Sequence, residues 1–379
     1  PVAVTRSIVT KRRLVLVGMP FVPIGIGEHL RCGVRALSAV GTTAGIIPLQ
    51  GTECDDLDVK NEIGGYVVHQ LSPEINIFYI NGDMIEQSLR EVQRLLPKSS
   101  YNIVYPMWEL SKYPKYWADQ LNRFDEIWAP SKFTYESIKP AVTKPVVHIP
   151  LPGELSLSTF LGRRYFEIPE SSFAFLFFFD FTSYLERKNP FAVLRAFEEL
   201  CKRAPDEDLC LVIKIKGGET KDEDYRRFSD YISRFKNRLL VIDKVLTDNE
   251  VKNLLRCCDC FVSLHRSEGF GLGLITAMFL GKPVVATAYS GNMDFMTEAN
   301  SCLVSYTMRD VPDGAYPFAE GQMWAEPDIA HAVDHMLKLM SDRDYARRVG
   351  ENASRDVRVN FGYRATGLRY LSRAAEILL

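Results

Sequence analysis

The sequence predicts an α/β protein of two domains, each built around a mostly parallel sheet that helices cover on both faces. Two observations lead to this prediction. Short apolar runs of strand length alternate with helical patterns in both halves of the chain, as in parallel sheets covered on both faces. A stretch rich in Pro, Ser, Gly and Leu at 151–172 breaks the alternation, so we interpret it as a linker between a first domain at 1–150 and a second at 173–355.

Five apolar runs predict the strands of the first domain. In chain order they are Arg12–Gly18, Glu74–Ile80, Tyr101–Met107, Glu126–Pro130 and Pro145–Pro150. The loop "MPFVPIGIGE" follows the first strand and leads into a helix predicted from about His29 to Val40, and "MIEQSLREVQRLL" predicts a later helix. The alternation therefore indicates a parallel sheet with helical crossovers.

The same alternation restarts in the second domain. Strands are predicted at "AFLFFFD", "LCLVIKI", "LLVIDKV", "CFVSLH" and "KPVVATA". Helices are predicted at "NPFAVLRAFEELCKRA", "EDYRRFSDYISRF", "TDNEVKNLLRCC" and "LITAMFLG". Thr247 followed by Glu250 indicates a capping box at the start of the third of these helices. From about Asp328 the tail is predicted to be helical with an interruption at Asn360–Tyr363, and its last segment, 356–379, can cross back to the first domain.

Composition and charge exclude several classes of protein. A chain of 379 residues with 46% hydrophobic content can form two cores, and its net charge of −2 creates no field that favours nucleic acid. No stretch approaches the roughly 20 apolar residues of a membrane-spanning helix, and the first residues lack the pattern of a signal peptide. The eight cysteines have no regular spacing, which favours a reduced, cytoplasmic protein.

The residues that commonly bind metals are not arranged as a site. Cys257 and Cys260 form a C-x-x-C, but no second pair follows at zinc spacing. His331 and His335 lie four positions apart on one predicted helix without a visible third ligand. We therefore expect no metal.

The stretch "HRSEGFGLGLITAMFLG" carries the strongest chemical signal. It places Glu268, Gly269, Gly271 and Gly273 at a strand-to-helix turn, where small residues admit a ligand and free N–H groups attract anions. A carboxylate at this turn would repel a phosphate, unless its role is to bind another part of the ligand. Hydroxyl groups are the obvious candidate, because an ionised Glu accepts hydrogen bonds from them well. A nucleotide sugar has both groups. The alternative is a tight strand–helix crossing that needs glycine only for packing, and glycine spacing alone favours that alternative.

Three stretches carry a family resemblance. Leu246–Met296 and Asp180–Phe197 resemble the donor-binding half of retaining GT-B glycosyltransferases of the group 1 type, the large family that includes many bacterial mannosyltransferases. Tyr105–Phe133 is similar to a branch active in bacterial polysaccharide assembly. The resemblance implies the GT-B fold, in which two Rossmann-like domains face a cleft and a C-terminal helical segment follows.

The family motif E-x7-E implies the first set of donor contacts. Glu268 matches its first glutamate, which binds the hydroxyls of the donor sugar. The second, which binds the ribose, falls on Thr276, a neutral partner with about half the strength of a charged one. The resemblance implies that the sugar and diphosphate lie along the backbone of Gly269, Phe270, Gly271 and Leu272.

Arg187 and Lys188 match the basic pair that, in the family, neutralises the leaving diphosphate. Breaking a glycosyl–phosphate bond builds negative charge on the departing nucleotide, and no Asp-x-Asp metal clamp is evident in the sequence. The alternative is a solvated helix start. Two cations just before a helix N-terminus oppose the helix dipole, which favours the functional interpretation.

The first domain supplies further candidates by resemblance. Gly25 and Gly27 lie in the glycine-rich first loop, near the diphosphate and acceptor in the family, although any first β–α turn can carry glycine. Many relatives have a histidine where this chain has Trp108 and Glu109. Glu109 would orient the acceptor hydroxyl or accept its proton, or else only begin a helix. Trp108 and His29 are the candidate acceptor contacts.

The sequence hypothesis is a metal-independent retaining glycosyltransferase that moves a hexose to a glycan or lipid-linked glycan in bacterial polysaccharide assembly. GDP-mannose is the donor that the resemblance favours. The base of a GDP- or UDP-linked donor would lie near Val245 and Leu246. Basic residues of the first domain could contact anionic lipid at the inner membrane surface, or simply be solvated; they are Lys11, Arg12, Arg13, Arg31 and Arg35.

Two other functions stay open. Thr276 and the missing histidine would suit a non-catalytic scaffold subunit that binds sugar nucleotides. An epimerase on the same fold would need extra acid and base groups, which the sequence does not reveal. Because no pair of carboxylates for double displacement can be identified, same-face attack assisted by the leaving phosphate is the expected route to retention.

Overall fold

The structure is a computed structural model that describes residues 14–49, 56–218, 222–235 and 238–379. Within this part of the chain, two compact units are distinguished. Unit 1 combines the described residues up to Glu154 with Arg358–Leu379, and unit 2 is Leu155–Val357. The sequence-predicted linker at 151–172 thus divides at residue 154, and most of it lies in unit 2.

Unit 1 contains a six-stranded parallel sheet in the order β2-β1-β3-β4-β5-β6. The strands β1–β6 are Leu14–Gly18, Gly45–Pro48, Ile75–Phe78, Tyr101–Val104, Glu126–Ala129 and Val146–His148. The helices α1–α5 are Gly25–Ala39, Leu57–Ile63, Ile85–Val92, Lys115–Leu121 and Lys132–Ile138. Strands β1, β3 and β5 are buried along their whole length and β4 in its second half, as expected for strands with helices on both faces.

The start of α1 corrects the sequence prediction. The helix begins at Gly25 rather than near His29, so that Gly25 and Gly27 belong to its first turn and not to a loop. A Cβ at Gly27 would lie 2.4 Å from the carbonyl oxygen of Val22 and 2.8 Å from that of Met19. The preceding turn therefore packs on this position so closely that only glycine fits.

Unit 2 contains a second six-stranded parallel sheet, in the order β12-β11-β10-β7-β8-β9. The strands β7–β12 are Phe173–Asp180, Leu209–Lys216, Leu239–Asp243, Cys260–Ser263, Val284–Thr287 and Cys302–Val304. A separate antiparallel hairpin pairs β13, Tyr306–Asp310, with β14, Met323–Pro327. Alternate phenylalanines of β7, including Phe173, Phe175 and Phe177, form much of the core.

The helices of unit 2 follow the predicted pattern. The helices α6–α12 are Leu185–Lys188, Pro190–Arg203, Asp222–Ile232, Asp248–Cys257, Leu272–Phe279, Ile329–Ser341 and Arg343–Asn360. The capping box of Thr247 and Glu250 is confirmed at the start of α9. The interruption of the helical tail is also confirmed, because α12 ends at Asn360 and the last helix, α13, spans Tyr363–Leu378.

Helix α13 completes unit 1, where it packs against α1. A Cβ at Gly367 would lie 2.1 Å from the carbonyl oxygen of Ala36, so the two helix backbones nearly touch. The hydroxyl groups of Tyr79 and Tyr370 are 3.2 Å apart inside this packing. Unit 1 is therefore built from two stretches that are distant in sequence.

Candidate active site

The topology of each sheet marks where a ligand is expected. In unit 2 the chain passes from β7 outward to β8 and β9, then returns to β10 on the other side of β7. The carboxyl ends of β7 and β10, Asp180 and Ser263, therefore flank a topological switch point, where α/β sheets usually bind ligands. In unit 1 the corresponding point lies between β1 and β3.

The turn after β7 is fixed to the loop after β10. Helix α6 lies between two residues with left-handed backbone, Tyr184 at φ 66° and Asn189 at φ 54°. The Asn189 amide donates to the carbonyl oxygen of Leu264 (3.0 Å), and Arg187 Nη1 donates to that of Ser267 (3.0 Å). These bonds hold the basic pair of α6 against the glycine-rich loop.

The glycine-rich loop is also fixed from its other side. The backbone N–H of Glu268 donates to Ser290 Oγ (2.7 Å), and that of Gly291 donates to the carbonyl oxygen of Glu268 (2.9 Å). A Cβ at Gly291 would lie 2.2 Å from the carbonyl oxygen of Gly269, so the two segments need glycine to approach. Gly271, at φ 99°, starts α10 from the left-handed region.

Glu268, Lys188 and Arg187 form one charged cluster. Lys188 Nζ lies 2.6 Å from Glu268 Oε1, and Arg187 Nη1 lies 3.4 Å from Oε2. Glu268 is only 9% exposed. Burial alone would raise the pKa of its carboxyl, but the Lys188 and Arg187 cations outweigh burial and lower the pKa to about 2. The carboxylate is thus ionised at neutral pH, in a cluster with one positive charge in excess.

The candidates from the sequence did not include His265, which lies beneath this cluster. Its imidazole is fully buried, and burial lowers its pKa, so the ring is neutral. The Asn292 amide group donates to the carbonyl oxygen of Thr287, so its oxygen must accept from His265 Nε2 (3.1 Å). Nδ1 then accepts from Ser263 Oγ (3.0 Å). The only sequence signal was the position of His265 at the end of β10.

The remaining donor-binding candidates of unit 2 differ in how far they are exposed to solvent. Thr276 is half-buried on α10, in its second turn, and Leu272 is half-buried at the start of that helix. Phe270 packs its ring on Phe295 inside the unit, and Gly269 and Gly271 beside it are buried as well. The sequence had assigned the backbone of this loop, not its side chains, to the donor.

The proposed base pocket is half accessible. Val245 is 59% exposed, whereas the side chain of Leu246 is buried. Both precede α9 and follow β9, at the carboxyl edge of the unit 2 sheet. A base could therefore contact the Val245 side chain, but the Leu246 side chain packs inside the unit.

Two acceptor candidates of unit 1 have side chains that are not accessible to a ligand in this structure. Trp108 is buried, and its ring N–H donates to the carbonyl oxygen of Lys112 (3.1 Å). His29 is also fully buried, with its ring 4.7 Å from that of Tyr79 and 4.2 Å from that of Tyr105. Neither side chain offers surface to an acceptor, because both belong to the core of unit 1.

Glu109, in contrast, is only partly buried and lies in an acidic environment. Burial raises the pKa of Asp83, and the charge of Glu109 raises it further. Burial also raises the pKa of Tyr113, with the charges of Asp83 and Glu109 adding to the effect. The three side chains therefore share one region beyond β3 and β4.

Two of the basic residues considered for contact with lipid lie inside unit 1. Arg31 and Arg35 are buried, and Glu28 pairs with both, at 2.6 Å and 2.8 Å. Arg35 also pairs with Glu62 at 2.8 Å. Their charges are thus neutralised inside unit 1. Lys11, Arg12 and Arg13 lie outside the described residues.

The part of the chain that the structure describes contains neither a metal-binding cluster nor a membrane-spanning helix. No group of three or more His, Cys, Asp or Glu is placed there to hold a metal ion. None of its helices has both the length and the apolar composition needed to cross a bilayer. Seven cysteines, including Cys257 and Cys260, are free thiols, and Cys54 is outside the described residues.

A family model matches most of unit 2. Residues 176–356 match the family described as Glycosyl transferases group 1. We refer to this matched stretch as the group 1 segment. The group 1 segment contains α6, the glycine-rich loop and every member of the charged cluster. Two of the three stretches that carried the sequence resemblance, Leu246–Met296 and Asp180–Phe197, lie within it, and Tyr105–Phe133 lies outside it.

Solved structures confirm the fold class for the whole chain. The structure of HepE from Anabaena in complex with UDP and glucose aligns with a TM-score of 0.68 at 12% identity, covering 96% of this chain and 100% of that one. Sucrose-phosphate synthase from Thermosynechococcus elongatus aligns with a TM-score of 0.67 at 14% identity, covering 97% and 99%. The two six-stranded parallel units and the C-terminal helix thus conform to the GT-B fold.

One curated relative matches in sequence. Mannosylfructose-phosphate synthase from Agrobacterium fabrum is 31% identical over 104 residues, which are 26% of this chain. The match covers 22% of that relative, so it spans only about a fifth of its length.

Proposed function

We propose that the protein is a retaining glycosyltransferase that moves a hexose from a nucleotide sugar to a glycan or lipid-linked glycan in bacterial polysaccharide assembly. The charged cluster of Glu268, Lys188 and Arg187 is the observation that supports this most. It lies at the switch point of the group 1 segment, in a loop with close backbone approach. A carboxylate for sugar hydroxyls and cations for a diphosphate are the two groups that such a donor needs.

Donor binding would exchange the ion pairs of the cluster. Lys188 and Arg187 would turn to the diphosphate, whose two negative charges exceed the single charge of Glu268. The carboxylate, ionised at neutral pH, would then accept hydrogen bonds from the hydroxyls of the sugar. The ribose would meet Thr276, and the base would lie near Val245.

The transfer step would need no carboxylate nucleophile. The bond between the anomeric carbon and the phosphate oxygen breaks, and its electron pair stays on the diphosphate. The acceptor oxygen bonds to the same face of the anomeric carbon and gives its proton to that phosphate oxygen. Lys188 and Arg187 stabilise the charge that develops on the leaving group, so we propose that transfer is independent of a metal.

The identity of the donor is the finer part of the proposal. We favour mannose from GDP-mannose, on the resemblance to mannosyltransferases. UDP-glucose is the alternative, supported by the similarity to Anabaena HepE, which was solved with UDP and glucose. Glu109, accessible in unit 1, is the residue we propose for orienting the acceptor hydroxyl. A lipid-linked acceptor would bring the protein, otherwise cytoplasmic, to the inner membrane surface.

Product analysis tests the proposal. A panel of nucleotide sugars is first screened by thermal shift, and the best ligand is then supplied radiolabelled with a lipid-linked acceptor. Label in the acceptor with retained anomeric configuration supports a transferase. Donor binding without any product would instead indicate a scaffold subunit, and a changed sugar still attached to its nucleotide would indicate an epimerase.

A further inference from the structure

A charged pocket lies in unit 2, outside the cluster at Glu268. It has a volume of about 910 Å³ and is bounded by α7, α8 and the β13–β14 hairpin. Its described lining includes six arginines and only four carboxylates, in a chain whose net charge is −2. The arginines are Arg195, Arg226, Arg227, Arg234, Arg266 and Arg309.

Two carboxylates are shared among four of these arginines. Glu186 pairs with Arg227 at 2.9 Å and with Arg266 at 2.8 Å. Glu326 pairs with Arg266 at 2.7 Å, with Arg309 at 3.0 Å and, more distantly, with Arg195 at 4.0 Å. Sharing leaves a surplus of two positive charges in this network, which a dianion would neutralise.

Arg266 makes the pocket a prebuilt structure rather than a loose surface patch. Its residue is 6% exposed, and its Nη1 donates to the backbone carbonyl of Glu186 (2.5 Å) as well as to the carboxylate of that residue. Its guanidinium also lies 5.6 Å from the ring centre of Trp324. A buried guanidinium is costly unless it is held by several partners, so its position is well defined before any ligand arrives.

Aromatic rings hold two further arginines of the wall. The guanidinium of Arg227 lies 4.5 Å from the ring centre of Phe191, and that of Arg234 lies 4.9 Å from the ring centre of Tyr231. The two rings contact each other edge to face at 5.6 Å. Stacking orders a guanidinium while its N–H groups can still donate in the plane, a geometry suited to phosphate oxygens.

We propose that this arginine pocket binds a small phosphate monoester, at a site distinct from the donor site. The dianionic charge matches the surplus, and planar guanidinium groups bind phosphate oxygens in pairs. The pocket adjoins the donor cluster through the backbone, because the N–H of Arg266 donates to the carbonyl oxygen of Arg187 (2.8 Å).

The test uses calorimetry with inorganic phosphate and with glucose 6-phosphate, at constant ionic strength set with potassium chloride. The pocket variant is Arg195→Ala/Arg309→Ala, whose side chains are about half exposed, so that no buried hole is created. The control variant is Arg203→Ala/Arg347→Ala, which removes two exposed arginines elsewhere in unit 2. Lys188→Ala removes a cation of the donor cluster and no residue of the arginine pocket, so it distinguishes phosphate binding at the two sites.

The expected result is that both probes bind to the wild-type protein, to the control variant and to Lys188→Ala. In the pocket variant the affinity falls at least about tenfold, because hydrogen bonds to charged groups are lost. Affinity lost in Lys188→Ala but kept in the pocket variant would overturn the proposal. So would equal binding by all variants, or equally tight binding of malonate, which carries the same charge on carboxylates. The result does not depend on transferase activity.

Discussion

Glu268 has two partners whose roles can be separated by substitution. In the absence of a donor its carboxylate is paired with Lys188 and Arg187. We expect Glu268→Ala to slow transfer by about ten- to hundredfold, because a lost hydrogen bond to a charged group costs roughly 1.5–3 kcal/mol. Binding of the free nucleoside diphosphate should persist or tighten. This ligand lacks the donor hexose that Glu268 would hold, and the substitution releases Lys188 and Arg187 from their ion pairs with Glu268.

Lys188→Ala is the matched variant on the other side of the ion pair. It should weaken diphosphate binding directly, by about tenfold or more, because it removes a charged donor. Both variants are measured by calorimetry with the diphosphate and by turnover with the sugar nucleotide. The assignment is reversed if folded Glu268→Ala cannot bind the diphosphate while Lys188→Ala binds it normally.

His29 makes the stability of unit 1 depend on pH. Burial lowers the pKa of its imidazole from 6.5 to about 3. The unfolded chain therefore binds a proton below pH 6.5 that the folded chain does not, and stability is lost as the pH falls from 6.5 towards 3. The slope from this residue approaches about 1.4 kcal/mol per pH unit. We expect His29→Phe to reduce the slope, in urea unfolding followed at several pH values.

A control for this prediction is His69→Gln, since His69 is exposed in the same unit. Its slope should match that of the wild-type protein. An unchanged slope in His29→Phe would show that His29 does not control acid unfolding. That result would mean that the imidazole of His29, although fully buried between two tyrosine rings, gains a proton in the folded protein without destabilising it.

At the scale of elements, the first turn of α1 contains a matched pair of glycines. A Cβ at Gly27 would meet two backbone oxygens at 2.4 Å and 2.8 Å, whereas a Cβ at Gly25 would have no atom within 4 Å. We expect Gly27→Ala to destabilise the protein by about 1–3 kcal/mol, as overpacking does. Gly25→Ala should be neutral or stabilising. Denaturant unfolding measures both, and equal effects would refute the packing argument.

Elements with a strong local pattern could be predicted from the sequence. Strand β7 is a run of buried apolar residues, and α9 begins with its capping box, so both were expected. Strand β2 has only four residues and ends at Pro48, and β13 is exposed throughout. Neither therefore shows the apolar run or the alternation that identifies a strand.

The candidate site was predictable where its chemistry is concentrated in one motif. Glu268 could be found because it precedes a run of glycines, and Arg187 and Lys188 because they are adjacent cations before a helix. The burial of Trp108 and His29 could not, because it depends on which residues of distant elements pack against them. His265 was missed for the same reason, since its partner Asn292 lies 27 positions away.

For the molecule as a whole, the proposed function predicts turnover without a metal. In the proposed reaction, Lys188 and Arg187 supply the charge that a divalent cation would otherwise bring to the leaving diphosphate. We expect EDTA to leave the rate of transfer unchanged, measured with radiolabelled donor. A rate that EDTA abolishes and that manganese restores would overturn the role given to this pair. EDTA loaded with excess calcium controls for effects of the chelator itself.

The last helix is also expected to support a unit that begins far away in sequence. Truncation after Gly362 removes α13, with Tyr370 and the backbone contact between Gly367 and Ala36. Amide hydrogen exchange should become faster in α1 and β1, while β7 and β10 stay protected, because they belong to unit 2. Unchanged protection of α1 would contradict this dependence.

The two-part composition of unit 1 sets an order of events during synthesis. Translation releases the chain from its amino end, and domains usually fold in that order as they emerge. Here the whole of 155–357 emerges before α13 can reach α1. Unit 2 can therefore finish folding while unit 1 is still incomplete, because α13 has not yet been released and the face of α1 that it covers is exposed. A nascent chain stalled in that interval would be a substrate for chaperones, even though its sheet strands were translated first.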